Sequence, residues 1–177
     1  IIPSNQKIMA TTAKLYSYDF KTVRTYLFAV IFIAGNLILP QLFHAVPNGG
    51  PTFLPIYFFT LIAAYKYGFR VGLLTAVLSP VLNSMLFGMP VVAMLPIILI
   101  KSGLLAISAS VVANYFKTVN FAGLIIAILA YQLIGTGAEW IMLGDFGLAV
   151  QDFRMGFPGM LLQLFGGYLL LKAMSRL

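Results

Sequence analysis

Two apolar runs, Thr52 to Tyr65 and Val71 to Phe87, are separated only by the basic turn Lys66-Tyr67-Gly68-Phe69-Arg70. Neither run contains Asp, Glu, Lys or Arg. Each is about as long as a bilayer's hydrocarbon core is thick. Breakers flank the pair: Val46-Pro47-Asn48-Gly49-Gly50-Pro51 before it and Gly88-Met89-Pro90 after it. Proline and glycine at such density mark loops. In lipid every backbone polar group must find its partner within the fold, which leaves helices and closed barrels. The runs are continuous rather than alternating, so they read as helices and not as barrel strands.

Composition settles the class. Of 177 residues, 61% are hydrophobic and only 8% are charged. Soluble domains carry about 25% charged residues. The chain is read as an all-α membrane protein, one bundle of six transmembrane helices, resident in the cytoplasmic membrane. Its length leaves no room for a separate soluble domain. The absence of cysteine excludes a disulfide framework and any cysteine metal site. A net charge of +7 does not point to nucleic acid, because the basic residues cluster at the ends of the apolar runs.

Residues 1–21 are mixed and polar, with Lys7, Lys14 and Lys21, and lack the apolar core of a signal peptide. They read as a cytoplasmic N-terminal segment. Met9-Ala10-Thr11-Thr12 resembles a native start, which would make residues 1–8 a remnant of expression. Tyr16, Tyr18 and Phe20 are expected at the headgroup level. Residues 22–177 form the membrane domain, with spans at 22–43, 52–67, 70–87, 90–116, 119–143 and 157–174. Pro80 is expected to kink the third.

Basic residues set the orientation. With the N-terminus inside, Lys7, Lys14, Lys21, Arg24, Lys66, Arg70, Lys117, Lys172 and Arg176 are all cytoplasmic, and Arg154 lies outside. This is the positive-inside pattern. It puts the C-terminus inside as well and makes 44–51, 88–89 and 144–156 the outer loops.

The embedded polar residues share a depth. Asn36, Asn83, Ser84, Glu139, Trp140 and Gln163 fall in the outer half, with Lys101 and Gln132 nearer the middle. This is the arrangement of a bundle with a pocket open to the outside and a closed floor, although interhelical hydrogen bonding uses the same residue types. Counting rise from the shared inner loop puts Lys101 and Glu139 roughly 5–10 Å apart in depth, within reach of a lysine stem. A charge in lipid costs about 2.5–3.5 kcal/mol or more. The pair is therefore either a salt bridge that pins two helices or a ligand site in which Lys101 meets an anionic group. Gln132, Thr136 and Glu139 share one helical face, expected to look inward. Trp140 reads as an interfacial anchor or a stacking wall. Ser102, Ala106, Ser110 and Asn114, and likewise Gly123 and Ala127, have the spacing of close helix packing. His44 alone is a poor metal site.

No nucleophile elbow, zinc-protease motif or phosphate loop is present, and Asp19, Asp145 and Asp152 fall outside the spans. No catalysis, cofactor or metal is expected, and any transport must draw energy from ions or partner chains.

The entry Thr52-Phe53-Leu54-Pro55, the turn Tyr67-Gly68-Phe69-Arg70-Val71-Gly72 and the exit Phe87-Gly88-Met89-Pro90 resemble those of vitamin-binding S components of energy-coupling factor (ECF) transporters. The likeness extends over residues 22–174 in size, span number and the Pro/Gly-rich first outer loop. The resemblance implies a high-affinity binding subunit for a vitamin or similar micronutrient. It would work with an ECF transmembrane coupling protein and two ATPase subunits in the bilayer. The substrate would lie near the outer face, under the loop after helix 1 and between helices 4–6. The residues expected to bind it, from the shared depth of the embedded polar side chains and from the first outer loop, are Asn36, Asn48, Asn83, Lys101, Gln132, Glu139, Trp140 and Gln163. Family members often carry Ala-x-x-x-Ala on helix 1 for docking; here Thr25 and Ala29 give the small-x-x-x-small substitute, because Ile33 follows Ala29. The alternatives are a structural membrane scaffold like the rod-shape protein MreD, or an ion-coupled solute transporter working alone.

Overall fold

The computed structural model describes residues 15–175, with only the backbone at 152. Lys7, Lys14 and Arg176, placed at the inner face above, and the start proposed at Met9 lie outside the described residues. Within them the chain is helical and contains no strand. Five helical stretches are long and apolar enough to cross a membrane: Val23–His44, Phe69–Phe87, Val92–Phe116, Phe121–Leu143 and Phe157–Met174. They fall within two residues of the expected spans. The molecule is thus a multi-pass membrane protein.

The expected span at 52–67 differs. After α1 (Val23–His44) the chain makes a five-residue helix, α2 (Gly49–Phe53), and a 3₁₀ turn at Pro55–Tyr57. It then enters α3 (Phe58–Tyr67), which has 10 residues. That is about 15 Å of helix, half of what a bilayer requires. Leu54 takes a left-handed conformation, φ 47°, between α2 and the 3₁₀ turn, and Pro55 follows. Together they break the apolar run where continuous hydropathy promised a helix. Every residue of α3 except Phe59 is buried. This short helix forms the centre of the bundle, packed by α1, by α4 (Phe69–Phe87) and by α5 (Leu95–Phe116).

Close approach holds the centre together. A Cβ on Gly72 of α4 would lie 2.4 Å from Ala64 Cβ, so only glycine lets the two arms of the hairpin meet there. α5 and α6 (Phe121–Leu143) pack most extensively. Ser102, Ala106, Ser110, Gly123 and Ala127 are all buried, as close packing requires, whereas Asn114 is exposed. Pro80 lies inside α4, which runs on without interruption.

α6 is followed by α7 (Phe146–Ala149), α8 (Gln151–Met155) and α9 (Phe157–Leu161), then by a π turn at Leu162–Gly166 and α10 (Gly167–Met174). The basic residues Lys21, Arg24, Lys66, Arg70, Lys117 and Lys172 gather at one end of the bundle. There the segment before α1 straps the α3–α4 turn. Tyr16 N–H donates to Lys66 O at 2.8 Å, and the rings of Tyr16 and Tyr18 stack on Tyr67 at 5.8 and 6.0 Å. These tyrosines, expected as headgroup anchors, therefore plug the basic end. Lys66 is buried and donates to Met174 O at 2.7 Å.

Candidate functional site

The opposite end holds a cavity of about 310 Å³. Its walls come from the end of α1 (Pro40, His44), the α2–3₁₀ segment (Gly50, Pro51, Leu54 to Tyr57), the α4–α5 connection and first turn of α5 (Met89 to Val91, Met94, Ile97, Ile98), and Glu139 of α6. The volume is at the small end of the range for ligand sites, about 300–1,000 Å³, and the wall is mostly apolar with few polar groups, as such sites are. The loop expected as a lid is thus a folded helix seated on the cavity rather than an open turn. Gly49 is the seat: a Cβ there would lie 2.0 Å from Phe43 O. Asn48, φ 55°, takes the left-handed conformation just before α2; it is exposed and is not among the wall residues.

Behind Glu139 stands Lys101. Its Nζ lies 2.5 Å from Glu139 Oε2, and both side chains are buried, at 0% and 3% exposure. Glu139 reaches the cavity wall and Lys101 does not. The lysine stem crosses α6 at Gly135, where a Cβ would lie 2.7 Å from Lys101 Cγ. In this arrangement the ammonium stands behind the carboxylate. An anion in the cavity would meet the carboxylate first, contrary to the expectation that Lys101 faces it.

Deeper on the same α5–α6 seam, Gln132 is fully buried, and neither amide atom has a hydrogen-bond partner. Ser102 Oγ and Thr136 Oγ1 are also buried without one. Buried polar atoms are normally paired, so such a cluster calls for a bound partner or water. Gln132 and Glu139 face inward as expected. Thr136 turns partly outward, into a lateral groove of about 320 Å³ shared with Leu133, Trp140, Phe146 and Phe153. Trp140 is half exposed, with Phe146 edge-on at 5.3 Å.

The remaining residues expected at the ligand are used inside the bundle. Asn36 donates from Nδ2 to Thr60 Oγ1 (3.1 Å) and Ser79 Oγ (3.2 Å), and its Oδ1 accepts the Phe59 N–H (3.1 Å). Asn83 donates to the carbonyls of Asn36 (2.8 Å) and Ser79 (3.0 Å). This network ties α1, α3 and α4. It satisfies one of the N–H groups orphaned at the start of α3, as capping demands. Gln163 is buried in the π turn with the Tyr131 hydroxyl 3.1 Å from its Nε2. Tyr131 in turn packs against Tyr57 of the cavity wall, ring centroids 5.5 Å apart. Among the described residues expected to bind ligand, Glu139 alone is in the wall. Tyr57, Pro40 and Ile97 were not anticipated, because they sit within or beside apolar runs that give no signal of which residues line a cavity.

Thr25 and Ala29, expected at a docking face, are buried at 0% and 2% exposure. Thr25 Oγ1 donates to Asp19 O, and Ala29 belongs to the core. The outward face of α1 carries Tyr26, Leu27, Val30 and Ile31 instead.

Scanned against protein-family models, curated proteins and solved structures, the chain matches none of them.

Proposed function

We propose that the chain is the binding subunit of an uptake system of the ECF type, taking a vitamin or similar micronutrient from outside the cytoplasmic membrane. In this reading it makes six passes, α3 with its 3₁₀ turn and α2 serving as the second. Both ends are cytoplasmic. The observation that carries it is the cavity covered by α2, small and apolar, with one buried ion pair behind its wall. A scaffold has no use for such a space. The gathering of Lys21, Arg24, Lys66, Arg70, Lys117 and Lys172 at the opposite end supports the orientation. No catalytic arrangement enters this reading, since the cavity offers a carboxylate already paired with a lysine and no activated nucleophile. Energy would come from a coupling protein and its ATPase subunits, which would dock on the outward face of α1 rather than on Thr25 and Ala29.

Native mass spectrometry of the purified full chain tests the proposal. The expected result is a stoichiometric small molecule, displaced when an excess of the same compound is added. A chain that carries none, and whose unfolding temperature no vitamin raises, would favour the scaffold. Uptake by the chain alone, in vesicles with an ion gradient and no ATPase, would favour the stand-alone transporter.

A further inference from the structure

We propose that the cavity selects a compact, largely apolar ligand that presents a protonated or hydrogen-bond-donating nitrogen to Glu139, and that it refuses carboxylates and phosphates. The inference rests on the binding-subunit reading and adds the chemical class of the ligand. Its first support is the order of the ion pair. Glu139 reaches the cavity, whereas Lys101, fully buried, lies 2.5 Å behind the carboxylate. The second is the packing of the Lys101 stem against α6, where Gly135 leaves room for it: a Cβ there would lie 2.7 Å from Lys101 Cγ.

Charge then decides the ligand. Within the pair the negative end is nearer the cavity. In low dielectric the nearer charge dominates, because the energy falls as the inverse of distance and screening is weak. A carboxylate has lone pairs enough to accept from Lys101 and from a ligand N–H together. Besides Glu139, the ionisable side chains in the wall are Tyr57, which is buried, and His44, exposed at the rim on the end of α1. Among the described residues the wall contains no lysine or arginine to receive an anion. The rest of the wall, Pro51, Leu54, Tyr57, Met94 and Ile97 among it, suits a ring. The cavity volume, about 310 Å³, limits the ligand to one or two rings.

Matched probes test this in the full-length wild type, purified in detergent. Tryptamine and indole-3-propionate share a ring and differ in the sign of the charge on the chain. Tryptamine is expected to raise the unfolding temperature in a concentration-dependent way, with an apparent affinity at least tenfold above that of indole-3-propionate. The variant Glu139→Gln is expected to remove this preference. Because that variant leaves Lys101 without its carboxylate, Lys101→Met/Glu139→Gln serves as the second form, and the wild-type ranking decides the matter even if neither folds. Equal or tighter binding of indole-3-propionate, or a copurified ligand bearing a carboxylate or phosphate, would overturn the class while leaving the binding-subunit reading intact. If neither probe binds and no small molecule copurifies, both fall.

Discussion

Asn36 shows how a single embedded amide organises three helices. Its side chain serves Thr60, Ser79 and the Phe59 N–H, and its own carbonyl receives Asn83. Asn36→Leu keeps the volume but strands those groups in an apolar interior, at a cost of roughly 1–3 kcal/mol. A lower unfolding temperature in detergent, with ligand affinity nearly unchanged, is the expected result. Lys101→Met should be more severe, since it leaves the Glu139 carboxylate buried without its counter-charge, worth about 3–5 kcal/mol. Adding Glu139→Gln should restore most of that loss, and this non-additivity is measurable in a double-mutant cycle. Position along the helices was legible in the sequence: counting residues grouped Asn36, Asn83 and Glu139 towards one end of the bundle, and Glu139 lies at the end that holds the cavity. What could not be read was direction around the helix axis. These helices are apolar on every side, so the lipid-facing and buried faces look alike, and no amphipathic stripe marks the inward one. Hence Thr25 and Ala29 passed for a surface pair, and Asn36 for a ligand contact.

At the scale of elements, the long helices declared themselves through length and hydropathy, and their ends fall close to the expected places. The region 44–57 did not. Its prolines and glycines signal irregular backbone, but not that the chain folds into α2 and a 3₁₀ turn set against the cavity. That shape depends on tertiary contacts, such as Gly49 against Phe43 O. Gly49→Ala should unseat α2 and weaken ligand binding by tenfold or more while the long helices persist. Titration calorimetry on the variant, alongside its unchanged helical circular dichroism, checks the expectation. At the other end, Lys117 closes α5 with φ 54°. A side chain pays for that left-handed conformation and glycine does not. Lys117→Gly is expected to stabilise the protein by about 1 kcal/mol, seen as a higher unfolding temperature.

For the whole molecule, the two ends differ in kind. One is basic and plugged by the stacked rings of Tyr16, Tyr18 and Tyr67; the other is hollow. The chain contains no cysteine, so single-cysteine variants report without background. In intact cells a membrane-impermeant maleimide should label Gly147→Cys and spare Lys117→Cys until the membrane is opened. The reverse result would invert the orientation and close the cavity to the outside.

The brevity of α3 bears on how the protein enters the membrane at all. Ten residues, followed closely by Arg70, offer the insertion machinery too little apolar length to be released into lipid as a span. α4 and α10 supply what is missing: the Gly72–Ala64 contact and the Lys66 bond to Met174 act only after those later segments have been made. A chain cut short before α4 is therefore expected to leave α3 unpacked, with the centre of the bundle completed only by segments made after it.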